Sequence, residues 1–146
     1  MKIETIYFVE DTDDEVWLSR LHFKYQKINV ALERQRDFEE LAVALAARDA
    51  LTGLGILVVI DLNLTVTTGI EVLRDIRSHP VFNGLIAGIC TGSEDPADEK
   101  NAREAGADFF IGKPLELKSL LQICDRIDGL SLEENSSGSF DLLLAD

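Results

Sequence analysis

Cysteine is scarce in this chain of 146 residues, and tryptophan and methionine occur once each. Cys90 and Cys124 fall singly inside apolar segments, with no CxxC pairing and no histidine nearby. That argues against a zinc site or a disulfide and for two buried thiols. Positive charge is in deficit too: 14 Lys and Arg stand against 27 Asp and Glu, a formal net of -13. A chain this acidic repels a phosphate backbone, so direct recognition of DNA or RNA is disfavoured. Long apolar runs are also missing. Nothing approaches the roughly 18 apolar residues of a membrane span, and Met1-Lys2-Ile3-Glu4 does not open a signal peptide. The expectation is a cytoplasmic protein without membrane insertion. No internal repeat is found.

What remains is an ordinary globular composition, 46% hydrophobic and 28% charged, at a length that suits one domain with one core. Short apolar runs at Thr5 to Val9, Ile56 to Ile60, Leu85 to Cys90 and Asp108 to Ile111 predict buried strands, with a weaker one at Ile28 to Glu33. Helical spacing lies between them, at Asp14 to Gln26, Phe38 to Arg48, Ile70 to Arg77, Ala97 to Ala105 and Leu117 to Ile127. Asp95 before Pro96 fits a helix start, and Gly106 and Gly129 fit helix exits. Five alternations of strand and helix imply a parallel sheet covered on both faces, an α/β doubly wound fold of the flavodoxin-like (βα)5 kind.

The domain is expected over 1–129. Past Gly129 the stretch Leu-Ser-Leu-Glu-Glu-Asn-Ser-Ser-Gly-Ser reads as a linker, so 130–146 is expected to be a polar, frayed tail, with docking of Phe140 and the leucines as the other reading.

Ligands of an open α/β sheet bind outside the carboxyl ends of its strands. Here those ends are polar: Glu10-Asp11 closes the first strand, Asp61 the third and Thr91 the fourth, and Lys113-Pro114 follows the fifth. Carboxylates gathered there repel one another unless a cation neutralises them, and hard oxygen ligands suit magnesium. Magnesium beside carboxylates is the usual companion of a phosphoryl group. Asp61 can then act as a carboxylate nucleophile toward phosphorus, Thr91 can donate its hydroxyl to one phosphoryl oxygen, and Lys113 can offer its charge to another. Gly92 leaves room for access.

Phe8-Val9-Glu10-Asp11, the run Val58-Val59-Ile60-Asp61-Leu62-Asn63-Leu64, Gly69, Thr91 and Gly112-Lys113-Pro114 keep this order and spacing. In these residues the chain resembles the receiver domain of two-component response regulators, of the stand-alone type, over residues 3 to 128. The resemblance implies that Asp61 is the phosphoacceptor. It implies further that Asp11 and Asp61 bind Mg2+ directly, Glu10 through water and Asn63 through its backbone carbonyl. Thr91 and Lys113 become the switch pair, the Lys113-Pro114 peptide is expected to be cis, and Phe110 takes the place of the switch aromatic. Asn63 and Ser93 flank the phosphoryl group.

The chain departs from the family pattern at Thr65, where Pro is usual, at Thr67-Thr68 in place of a Met-Asp pair, and at Phe110, whose ring lacks a hydroxyl. These changes bear on the loop and the switch; the phosphate and metal residues are retained. By the same resemblance the partners are a sensor histidine kinase or histidine phosphotransfer protein, then a downstream protein target or a second copy of the chain. The protein would modify itself, with no turnover of an external substrate.

Asp61-Leu62-Asn63-Leu64-Thr65 nearly spells the DxDxT nucleophile motif of haloacid-dehalogenase-like phosphatases, but Asn63 cannot shuttle a proton as the second Asp does. A calcium loop from Asp11 fails at Val16 and His22, where Gly and Glu are needed. Gly53-Leu54-Gly55 precedes a strand and reads as a loop. A receiver-like module that binds partners without phosphorylation is the remaining alternative, and it has no chemical need for Asp11, Asp61, Thr91 and Lys113 together. Trp17, His22 and His79 are assigned no role. Asp13, Asp14 and Glu15 read as a helix start matched to its dipole.

Overall fold

A computed structural model of the chain describes residues 1–48 and 55–146. Gly53 and Leu54, read from sequence as part of a loop, lie outside the described residues. Alternate residues of single strands feed two separate cores. Ile6 and Phe8 of the first strand and Leu57 and Val59 of the third join Phe23, Leu120 and Ile123. Tyr7, Val9, Val58 and Ile60 instead join Leu41, Leu45, Leu73 and Ile76. Burial on both faces explains why these strands are nearly continuous apolar runs. Each fully buried aliphatic side chain contributes roughly 1.5–3 kcal/mol.

The elements run β1 (Thr5–Val9), α1 (Asp13–Tyr25), β2 (Ala31–Gln35), α2 (Phe38–Ala46), β3 (Ile56–Asp61), α3 (Gly69–Ser78), β4 (Ala87–Thr91), α4 (Pro96–Glu104), β5 (Phe110–Gly112), α5 (Leu117–Arg126), β6 (Leu130–Glu134) and β7 (Phe140–Leu144). β1 to β5 form one sheet in the order β2-β1-β3-β4-β5, and every pair in it is parallel. This is the flavodoxin-like order, whose topological switch point lies between β1 and β3. Asp95 accepts a hydrogen bond from the Ala97 amide at 2.9 Å, with Pro96 at the first position of α4, as expected of that helix start. Gly106 and Gly129 have φ of +100° and +83°, the left-handed conformation of a helix exit.

Two expectations need correction. The second strand begins at Ala31, not Ile28. Ile28 and Val30 are buried, but Ile28 bridges Phe140 and the Asn29 amide donates to the Phe140 carbonyl at 2.7 Å. Their apolar character serves a contact outside the main sheet.

The tail expected over 130–146 is not frayed. β6 and β7 form an antiparallel hairpin, with Leu130 opposite Leu144 and Leu132 opposite Leu142. The turn between them closes on Asn135 Oδ1, which accepts from the Ser137 and Ser139 amides at 2.9 and 3.1 Å. Leu142 is fully buried, and the hairpin joins the core beside α5. Docking, the second reading of Phe140 and the leucines, is the observed one. Its sequence signal is the alternation Leu130, Leu132 and Phe140, Leu142, Leu144 around a polar turn ending in Gly138.

Candidate functional site

Because the sheet is parallel, the carboxyl ends of β1, β3, β4 and β5 lie along one edge. Val9 pairs with Ile60, so Glu10 stands beside Asp61; Asp61 pairs with Cys90, and Thr91 with Gly112. The polar residues that close these strands are thereby stacked across neighbouring strands. Glu10, Asp61 and Thr91 are all buried.

Lys113 points into this group. Its Nζ lies 3.2 Å from Asp61 Oδ1, 3.6 Å from Glu10 Oε2 and 3.6 Å from Glu15 Oε1. The Lys113-Pro114 peptide is cis. Burial lowers the lysine's affinity for its proton, but the charges of Asp61 and Glu10 outweigh that and raise its pKa. Burial, with the Asp61 carboxylate beside it, pushes Glu10 up to about 7. Glu10 Oε1 accepts from the Thr12 amide at 3.0 Å, whereas Oε2 is buried without a hydrogen-bond partner.

The loop after β3 is shaped around Asp61. Asp61 Oδ1 also accepts from the Asn63 amide at 3.2 Å. Asn63 and Thr68 form an isolated antiparallel bridge, and the Gly69 amide donates to the Leu62 carbonyl at 2.8 Å. A side chain at Gly69 would bring its Cβ to 2.4 Å from the Asp61 carbonyl oxygen, so this close approach requires glycine. Asp11 Oδ2 accepts from the Thr65 amide at 2.5 Å. Burial would raise the Asp11 pKa, but hydrogen bonds from Thr65 and Thr12 prevail and lower it. A proline at position 65 has no N–H to offer, so the departure noted there supplies a new bond to Asp11.

On the other side, Thr91 Oγ1 accepts from the Ser93 amide at 3.1 Å, and Ser93 Oγ donates to Asp98 at 2.5 Å. Phe110 is half-buried and packs against the core beside α3 and α4. Cys90 is buried, its thiol pushed up to about 12 by burial, in keeping with an inert core residue. Trp17 is exposed.

Glu10, Asp61 and Lys113 are thus in direct contact, and Thr91 stands at the end of the adjoining strand. Asp11 is hydrogen-bonded to the loop instead. Among the described residues, no three His, Cys, Asp or Glu side chains are set to hold a metal by themselves. The donors present nevertheless fit magnesium. All are hard oxygens, and Glu10 Oε2 is a buried acceptor without a hydrogen-bond donor, with only the Lys113 ammonium near it at 3.6 Å. Glu15 was not anticipated as part of the site. Its one signal is its place in the first turn of α1, shortly after the end of β1.

The model of the response regulator receiver domain matches residues 6–125. The chain belongs to that family. It is 30% identical, over 122 residues, to the transcriptional regulatory protein GltR of Pseudomonas aeruginosa, with 80% of this chain and 46% of GltR aligned. The receiver chain therefore spans less than half of that relative. Among solved structures, the Mn(2+)-bound form of response regulator Rcp1 aligns at a TM-score of 0.59 and 25% identity, over 79% of this chain and 84% of its own. The bacteriophytochrome response regulator RtBRR aligns at 0.70 and 24%, over 94% and 86%. Chemotaxis response regulator CheY4 of Vibrio cholerae aligns at 0.65 and 17%, over 85% and 98%. The last two likenesses establish the receiver fold. No helix among the described residues is long and apolar enough to cross a membrane.

Proposed function

We propose that this receiver domain accepts a phosphoryl group on Asp61 from a histidine kinase or histidine phosphotransfer protein, and signals in the cytoplasm through contacts with another protein. The observation that carries this reading is the pairing of a buried carboxylate, Asp61, with Lys113 at 3.2 Å, at the sheet edge where Thr91 also ends. An oxygen of Asp61 forms the new bond to phosphorus. The bond from phosphorus to the donor's imidazole nitrogen breaks, and its electron pair stays on the ring. Lys113 offsets charge on one phosphoryl oxygen, and the Thr91 hydroxyl donates to another. Glu10, Asp11, Asp61 and the Asn63 carbonyl would hold Mg2+, whose charge offsets that of the phosphoryl oxygens. That the response regulator Rcp1 has a Mn(2+)-bound form supports the binding of a divalent ion by this chain.

The chain is a phosphoacceptor that assists its own loading and hydrolysis, not an enzyme with an external substrate. Phosphorylation biases an existing equilibrium in which Thr91 and Phe110 report the state of Asp61 to the surface around α4, β5 and α5. The test is intact mass after incubation with acetyl phosphate and Mg2+. One added phosphoryl group, absent from Asp61→Asn and after chelation, is expected; no gain under any condition would favour a module that works without phosphorylation.

A further inference from the structure

α1 begins with three acids, and they are not equivalent. Asp13 is taken by Arg34 at 2.5 Å, and Asp14 is exposed. Either can meet the helix dipole, which asks only for negative charge in the first turn. Glu15 alone turns back to the sheet edge, where its Oε1 lies 3.6 Å from Lys113 Nζ. Lys113 thus serves three carboxylates at once, those of Asp61, Glu10 and Glu15. Glu10 and Asp61 are held on buried strand ends, with side chains 0% and 3% exposed, whereas that of Glu15 is 35% exposed on a helix. It is the one of the three free to give up the lysine.

A phosphoryl group on Asp61 brings new anionic oxygens that need the same ammonium. Glu15 must then share Lys113 or lose it, and in either case a carboxylate stands close to the incoming anion. We propose that Glu15 is a positioning residue that competes with the phosphoryl group for Lys113 and so slows the loading of Asp61. This rests on the reading of Asp61 as phosphoacceptor. In the loading step with acetyl phosphate, the Asp61 oxygen bonds to phosphorus, the phosphorus–oxygen bond to acetate breaks, and acetate leaves with the electron pair.

Glu15→Gln keeps shape and removes charge. Glu15→Asp keeps a negative charge in the first turn but falls one methylene short of Lys113. Loading by acetyl phosphate and Mg2+ would be followed by intact mass for wild type and both variants, at about 50 mM and about 500 mM NaCl. Glu15→Gln is expected to load roughly two- to fivefold faster, the range of a partly exposed ion pair, with the difference shrinking in high salt. Glu15→Asp should also be faster than wild type. An unchanged or slower Glu15→Gln overturns the proposal, and so does a Glu15→Asp variant that matches wild type, because a helix-start role alone predicts that match. A wild-type protein that gains no mass, or an Asp61→Asn control that gains as much, instead overturns the reading of Asp61 and the inference with it.

Discussion

The Ile3 amide donates to the carbonyl of Leu142 at 2.7 Å, tying the lead-in to the first strand of the sheet to the last strand of the chain. The Leu144 amide repeats the contact with the Met1 carbonyl at 2.8 Å, and Lys2 pairs with Asp141 at 3.6 Å. The C-terminal hairpin is therefore part of the folded body.

Leu142→Ala tests that integration. Its side chain is fully buried, so truncation should cost about 2–5 kcal/mol, read as a lower midpoint in urea denaturation. A frayed tail would leave the midpoint where it is.

Glu10 makes metal binding depend on pH. Its folded pKa of about 7 lies above that of an exposed glutamate, so the folded state holds a proton that the unfolded state has lost. Stability of the metal-free protein should therefore fall as pH rises from about 4.5 to about 7, then level off. Magnesium needs the carboxylate, so its affinity should rise through the same upper range. Calorimetric titrations in buffers of different ionisation enthalpy would register the proton released, and Glu10→Gln should abolish that release.

Lys113 neutralises carboxylates that would otherwise be buried together. Lys113→Ala should lower stability by about 2 kcal/mol or more near neutral pH, because Asp61 and Glu10 lose their counter-charge. Adding Asp61→Asn should recover part of the loss. Chemical denaturation of the single and double variants would measure it, and additive losses would contradict direct coupling.

Among the hydrogen bonds that lower the Asp11 pKa, that of the Thr65 amide is the largest. Thr65→Pro removes that N–H, and the Asp11 pKa should rise from its lowered value toward the ordinary range. The stabilisation from this bond is present above the unfolded pKa of aspartate and is lost as pH falls, so the variant should be less stable near neutrality but not in acid. Thr65→Ala keeps the amide and loses only the side-chain hydrogen bond, so its Asp11 pKa should rise less than that of Thr65→Pro. Carboxyl-carbon chemical shifts followed through a pH titration would distinguish the two.

Much of this molecule is written in local pattern. Five strands alternating with five helices follow from short apolar runs and helical spacing, because residues buried on both faces of a sheet must nearly all be apolar. The cluster of Glu10, Asp11, Asp61, Thr91 and Lys113 follows from parallel topology, which brings the ends of distant strands to one edge. What sequence could not assign depends on contacts between elements far apart in the chain. The polar run after Gly129 resembles a linker until Leu130 and Leu142 find the core beside α5, and Ile28 looks like a strand until Phe140 takes its place beside it. Glu15 looks like a helix-start acid until α1 is laid over Lys113, and Thr65 gains its meaning only when its amide meets Asp11. Periodicity and residue type act within a few positions along the chain, whereas a shared lysine or a docked hairpin is settled by packing in three dimensions.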